Sequence, residues 1–585
     1  MSVATIALSK VMRLPTLLRR DAMSYAIFAL TLVLVASPIA FLVLGSFSSA
    51  KIPGDLVFSG LSFSNYRAVW ADPSLPQILY NTLFYAVGAT TIGVVVAIAL
   101  AWLVERTDIR CKTLIYAAVP LTLAMPGLLQ AMAWVLLMSP RIGFVNQALR
   151  EGAGFQEPVF NIYSMQAMIL IEGLRLVPTA FLMLVPLMRS MDPMLEEAAS
   201  TCGANAISAL RKVTLRLMLP GVLAITIYQF ITAIEAFEIP GIIGMPAGVL
   251  VFSTKIYLLL IQTSSLPVYG QANALAMLYL VIALVGMYFY GRAVSHSERY
   301  SIITGKGYRP QLIRLGRWRY LATVLTWAYI VVAVIMPVTV LAYVSFLPTL
   351  RLPSMATFGV FTLDNYREIL ESPFIATIVT NTVIMSVVTA TATAVLSFAI
   401  AMVVVRSRFW GRRVLDQLAF APSAIPGMVL ALAFLWVFLQ VDKAVPGVFG
   451  TIWSIAIAFT VAFLPYGTRT MNAAILQVHR DLEEAAYASG SRQWRVMQRI
   501  FFPLMVPALI GVWVWTILHA ARIIGIPLLL YEGTKNQVLA VLMWNMWEQG
   551  QLPAVAAIGT LLTMVLLAIT LGMRIIGFGR NLDKS

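Results

Sequence analysis

The sequence predicts an all-α polytopic membrane protein of about twelve transmembrane helices, arranged as two parallel six-helix repeats. Three observations carry that reading. Of 585 residues, 60% are hydrophobic and 11% charged, too apolar for one water-soluble core, so a bilayer must solvate most of the chain. A shift of 300 positions superposes Asn65-Tyr66 on Asn365-Tyr366, Asn81-Thr82 on Asn381-Thr382, Arg106 on Arg406, and Pro126-Gly127 on Pro426-Gly427. Further along, an offset of 287 aligns Pro178 with Pro465, Glu197 with Glu484, Pro220 with Pro507, and Pro240 with Pro527. Basic residues, finally, crowd alternate connectors between apolar runs.

Lys10, Arg13, Arg19 and Arg20 precede an apolar run at 24–44. That run is long enough to cross ~30 Å of hydrocarbon, whereas a signal core needs only ~7–15 residues, so it reads as a retained first helix. The first half offers spans near 24–45, 78–104, 113–138, 164–188, 218–236 and 271–291. The second offers 320–344, 378–405, 415–439, 452–474, 504–521 and 554–576. A longer loop in the first half, around 140–162, accounts for the change of offset. The expected organisation is an N-terminal segment 1–23, a first domain 24–295, a basic linker 296–319 and a second domain 320–580.

Short-loop charge sets the orientation. Arg106/Arg110/Lys112, Arg211/Lys212/Arg216, the linker, Arg406/Arg408/Arg412/Arg413, Arg492/Arg495/Arg499 and Arg574/Arg580 all fall on one side of a twelve-span chain. Both termini are then cytoplasmic, and six spans per half make the repeats parallel. The linker would lie near anionic membrane lipid headgroups. The excess of 41 Lys+Arg over 25 Asp+Glu is thereby explained by topology, and no nucleic-acid partner is implied. Cys111 and Cys202 fall in cytosolic loops, where thiols stay reduced. There is no G-x-x-x-x-G-K-[ST] loop and no H-E-x-x-H, and His296, His479 and His519 are scattered. No enzymatic site, cofactor or resident metal is expected.

The repeat carries one distinctive loop: Glu196-Glu197-Ala198-Ala199 with Gly203, and Glu483-Glu484-Ala485-Ala486 with Gly490. In the first copy Asp192-Pro193 reads as a helix cap followed by proline, with acids near the positive helix end. In the second Asp481 is the candidate cap, with Glu484 three residues on and Gly490 as the stop. Each loop is expected to form a helix, a glycine bend and a basic helix.

The pattern E-A-A-x-x-x-G, followed by basic residues and proline, resembles the cytoplasmic loop of permease subunits of type I ABC importers. The resemblance implies a fused pair of permease domains. It implies that Glu197, Ala198, Ala199 and Gly203, with Glu484, Ala485, Ala486 and Gly490, couple to two copies of a separate ATP-binding subunit, which consumes the ATP. It also implies a periplasmic or lipid-anchored substrate-binding protein and residence in a bacterial inner membrane. The second loop follows the pattern through Ile500, Pro503 and Pro507, whereas the first has Arg216 where proline is expected.

Charged residues inside spans are costly, about 2.5–3.5 kcal/mol each on the insertion scale, and mark function or pairing. Glu172 and Arg175, three apart, are candidates either for a mutual ion pair or for the translocation path. Glu235 and Arg522 are equivalent at the 287 offset and are candidates for a gate. Local pairing of each, or a reach to the outer interface, is the other reading. Asn81 and Asn381 suit interhelical hydrogen bonding.

The fused layout, with 237–257 and 541–550, resembles the ferric-iron importer permeases. That resemblance implies ferric iron as cargo, although thiamine, 2-aminoethylphosphonate, polyamine and sulfate importers share the architecture. An ion-gradient-driven carrier with two parallel six-span halves is the alternative from another class.

Overall fold

The computed structural model describes residues 14–49, 60–189, 191, 194–203, 205–261, 268–297, 312–491 and 493–582. The Asp192-Pro193 cap, Arg492, the first basic residues and most of the linker lie outside them. Among the described residues there is no strand, only two isolated β-bridges, Ser48 to Leu61 and Thr107 to Ile313.

Among the described residues eleven helices are long and apolar enough to cross a membrane, and a bent helix pair supplies the third in chain order. The first-half spans are Ala22–Phe47, Leu75–Arg106, the bent pair, Met165–Arg189, Leu210–Glu235 and Tyr269–Arg292. Those of the second half are Trp318–Ser345, Pro373–Arg406, Gly427–Ala444, Ile452–Gln477, Met497–Ala520 and Leu552–Gly572.

The third and ninth spans depart from the continuous helices expected at 113–138 and 415–439. In the first half Lys112–Ala124 and Gly127–Met138 meet at 98°. In the second, Arg412–Phe420 and a short 3-10 turn precede Gly427–Ala444. The cause is the same at both sites. Proline disfavours helical backbone in the residue before it, and Met125 (ψ 125°) and Ile425 (ψ 115°) are accordingly extended ahead of Pro126 and Pro426.

The chain forms two compact units. One comprises Met1–Arg67, Val268–Met277 and Ile378–Leu539; the other comprises Ala68–Pro267, Leu278–Thr377 and Ala540–Ser585. The first span therefore belongs with the second-half helices, where Tyr25 packs edge-on against Phe409 at 5.0 Å and accepts a hydrogen bond from Trp410 Nε1 at 3.1 Å. The seventh span belongs with the first-half helices, where Tyr343 meets Phe144 edge-on at 5.6 Å.

Within the second unit, the spans Leu75–Arg106 and Met165–Arg189 approach until glycine is required. A Cβ on Gly173 would stand 2.7 Å from Ile92 Cβ, and one on Gly93 would stand 2.9 Å from Leu176 Cβ. Small residues at such crossings let backbones pack closely where lipid offers no hydrophobic drive.

The repeat is visible in detail. Asn65 Nδ2 donates to Ser46 O and Ser48 O at 3.0 and 2.8 Å, and Asn365 Nδ2 donates to Ser345 O and Leu347 O at 2.9 and 2.8 Å. Asn81 Nδ2 donates to Leu250 O at 3.0 Å, while Thr82 Oγ1 accepts from Phe252 N at 3.1 Å. Asn381 donates to Lys535 O and Gln537 O, and Thr382 Oγ1 accepts from Leu539 N at 2.8 Å. Both Asn-Thr pairs thus hold the backbone leading into a short helix, Phe252–Leu260 or Leu539–Glu548, which the apolar pattern left unassigned.

Candidate functional site

Each loop folds as helix, glycine bend, helix. In the first, Met194–Thr201 carries Glu196 and Glu197 in its opening turn, where the positive helix end favours acids. In the second, Arg480–Ala488 begins two residues before the place expected from Asp481. Its N-cap is His479, whose Nδ1 accepts from Asp481 N at 3.4 Å, so Asp481 lies in the first turn instead.

Gly203 and Gly490 have φ of +85° and +78°, the left-handed region that side-chain-bearing residues avoid. No atom lies within 4 Å of a Cβ built on either, so backbone conformation alone selects glycine there. Each bend is followed by a π-helical turn, Leu210–Thr214 or Met497–Phe501, that forms the start of the next span. The two turns stand at equivalent positions.

Glu197, Ala198, Glu484 and Ala485 are exposed, while Ala199 and Ala486 are half-buried. Met194, Leu195, Leu482 and Tyr487 are exposed as well. Each helix thus offers an outer face of acid, small and apolar side chains. That composition suits a partner surface.

The glutamate before each E-A-A turns inward instead. Glu196 Oε1 lies 3.3 Å from Arg106 Nε and accepts from Thr214 Oγ1 at 2.7 Å. Glu483 Oε2 lies 3.9 Å from Arg406 Nη1. The sequence places both arginines in register but gives them no role beyond topology.

Glu172 and Arg175 form a bidentate pair, Nε to Oε2 at 2.9 Å and Nη2 to Oε1 at 2.5 Å, with Glu172 fully buried. The local-pair reading therefore describes them. Glu235 ends the helix Leu215–Glu235 in the second unit. Near it, Glu238 lies beside Gly127: a Cβ there would stand 3.6 Å from the Glu238 carboxyl carbon. That places an acid at the positive end of the helix Gly127–Met138.

Arg522 belongs to the first unit. Its Nη2 lies 2.7 Å from His519 Nε2, and His519 Nδ1 lies 2.8 Å from Trp515 O. Because guanidinium only donates, Nε2 must accept and Nδ1 must carry the proton given to Trp515. Trp515 stacks between His519 and Tyr466 at 3.8 and 3.7 Å, fixing this column.

The family profile of the binding-protein-dependent transport system inner membrane component matches residues 93–296 and again 393–583. The chain belongs to that family. Each repeat is one copy of its domain, so the protein is the membrane component of a binding-protein-dependent importer. It is 25% identical over 505 residues to the ferric transport system permease protein FbpB of Actinobacillus pleuropneumoniae, covering 85% of this chain and 70% of that protein. It is 27% identical over 186 residues to a probable sulfate transport system permease protein of Chlorokybus atmophyticus, covering 30% of this chain and 65% of that protein. Among solved structures, a bacterial ABC transporter that imports alginate aligns at 18% identity with a TM-score of 0.36, over 44% of this chain and 93% of that one.

Proposed function

We propose that this importer component carries ferric iron across a bacterial inner membrane, driven by a separate ATPase that docks on the two E-A-A loops. The observation that carries the reading is the duplicated loop helix. Glu197-Ala198-Ala199 and Glu484-Ala485-Ala486 stand at equivalent positions, each with its second acid and first alanine exposed and each closed by a left-handed glycine. Two equivalent docking faces call for two copies of the ATPase. Both termini lie on the loop side, in the cytosol, and a periplasmic or lipid-anchored binding protein delivers cargo to the opposite face. Closure of the ATPase pair pushes the loop helices and switches access; hydrolysis resets the permease. The chain itself supplies no ATPase chemistry and no bound cofactor.

Iron is supported by the ferric transport permease relatives. Glu172 and Arg175 are engaged in their mutual pair, which leaves Glu235 and Arg522, each within its own unit, as candidate path-lining groups. The sulfate permease relative favours a second reading, the same mechanism with an oxyanion as cargo.

The deciding experiment is ATP hydrolysis by the chain reconstituted with the ATPase encoded beside it. Binding proteins loaded with ferric iron, sulfate, thiamine or 2-aminoethylphosphonate are added in turn. Stimulation by the iron-loaded protein alone, lost in Glu197→Ala and Glu484→Ala, supports the reading. Stimulation by another cargo replaces iron, and a chain that binds no ATPase and follows an ion gradient overturns the mechanism.

A further inference from the structure

We propose that Arg106 and Arg406 are the joints through which movement of the loop helices reaches the membrane spans. This rests on the docking role assigned above to those helices. The problem they solve is mechanical. Each loop helix is joined by backbone to the span before it and, through a glycine bend, to the span after it. The spans Leu75–Arg106 and Pro373–Arg406 have no chain connection to the loops at all.

Arg106 is the last residue of its span and only 3% exposed. Its Nη2 donates to Met188 O at 3.0 Å and Met191 O at 3.2 Å, where the fourth span ends and its helix dipole favours a cation. On another edge, Nε faces Glu196 of the loop helix. Glu196 in turn accepts from Thr214, the last residue of the π turn entering the fifth span. One guanidinium therefore gathers the ends of two spans, the loop helix and the start of a third span.

The other unit repeats the arrangement. Arg406 Nη2 donates to Ile475 O at 3.0 Å and to Val478 O, and Nη1 faces Glu483. Where Thr214 stands in the first copy, the second has Phe501, whose ring centre lies 5.4 Å from the Arg406 guanidinium carbon. Phe501 is itself part of a buried cluster with Met471, Ile475 and Met505. Two copies that keep the same Arg–carbonyl–Glu partners, with different guanidinium edges toward the glutamate and different supporting residues, indicate a retained function of the contact.

The two sides of each joint differ in kind. The carbonyl contacts are directional hydrogen bonds, whereas the glutamate contacts are ion pairs without one: Arg106 Nε, 3.3 Å from Glu196, makes no hydrogen bond, and Arg406 Nη1 stands 3.9 Å from Glu483. The arginine is thus fixed to the span ends and meets the loop glutamate through charge, a contact that transmits force while allowing the helix to shift. The first joint, with its extra Thr214 bond, is the stiffer.

The test uses the full chain with its ATPase in proteoliposomes. Glu196→Gln and Glu483→Gln remove the charge from half-buried positions, and Arg106→Lys and Arg406→Lys keep the charge but lose the fork. Lysine, a point charge, cannot reach both carbonyls and the carboxylate, so it is expected not to rescue. Assembly with the ATPase is expected to persist while stimulation by loaded binding protein falls about fivefold or more, with the larger loss at the first joint. A spin label on exposed Cys202, in a Cys111→Ser background, is expected to gain mobility in Glu196→Gln and not in Glu483→Gln. Should the lysine variants fail to fold, the glutamine variants decide. Unchanged stimulation and an unchanged label spectrum in assembled glutamine variants would overturn the joint. A wild-type chain that assembles with no ATPase would instead overturn the docking role.

Discussion

Trp544 donates its indole Nε1–H to Tyr257 Oη over 3.1 Å, and these two residues occupy equivalent positions, 287 apart, in the two repeats. Phe237 closes the group, its ring 5.2 Å from Trp544 and 5.3 Å from Tyr257. All three are nearly fully buried. Tyr257→Phe removes one acceptor from the indole N–H, which the Glu548 carboxylate also reaches, so the loss is that of one hydrogen bond, about 0.5–1.5 kcal/mol. Adding Trp544→Phe removes the donor itself, so the double variant should lose less stability than the sum of the singles. Thermal unfolding of the four chains in detergent measures this, and strictly additive losses would argue against the bond.

The Glu172–Arg175 pair makes a similar contrast with higher stakes. Arg175→Met strands a carboxylate that is fully buried, and breaking a buried pair costs about 3–5 kcal/mol. Glu172→Met/Arg175→Met, which removes both charges, should recover most of that loss. Expression yield and melting temperature of the two variants provide the comparison.

Asp72, outside the spans, sets a pH dependence. Its bond to Lys255 Nζ, at 2.8 Å, is the main cause that lowers its pKa from 3.8 to about 2. A carboxylate with a depressed folded-state pKa stabilises the fold above its unfolded value and loses that contribution as pH falls through the folded one. The melting difference between wild type and Asp72→Asn should therefore be constant above about pH 5, shrink as pH falls through about 2 and vanish near pH 1. A difference undiminished at pH 2 would mean that the pair is not its source.

Gly203→Ala and Gly490→Ala test the bends. The space is open, so the whole cost is conformational, roughly 1–2 kcal/mol for a left-handed alanine. Asparagine, which visits that region more readily, should be milder at both sites. Hydrogen exchange of the loop amides in alanine and asparagine variants would register the difference, and equal protection would count against the bend as its cause.

Much of this was legible in the sequence because it rests on residue identity at fixed spacing. The repeat, the loop helices and the glycine bends are of that kind; the Asn-Thr pairs were visible as a repeat, but Asn81 and Asn381 donate to loop carbonyls rather than between helices. The breaks at Met125 and Ile425 were visible as Pro-Gly pairs, but neighbouring helices can equally accommodate proline in a continuous span. The arginine joints were hidden for another reason. Arg106 and Arg406 bond to backbone carbonyls 82 and 69 residues away, and a carbonyl leaves no residue-type trace. Their survival in register at the end of an apolar helix was the available signal. Tyr257 and Trp544 escaped because a comparison by identity passes over equivalent positions that differ in side chain.

The exchange of the first and seventh spans between the two sequence halves bears on how the molecule is made. One compact unit begins at Met1 but is not complete until Leu539 has been synthesised; the other must wait for the helix after Ala540. Neither can close on the ribosome as an ordinary N-terminal domain does. The second to fifth spans can pack on one another as they emerge, but the first span must wait in the bilayer for second-half helices, and the unit those four spans begin stays incomplete until the last helix arrives. A gene cut at the linker would then yield two chains that each depend on the other for a missing wall.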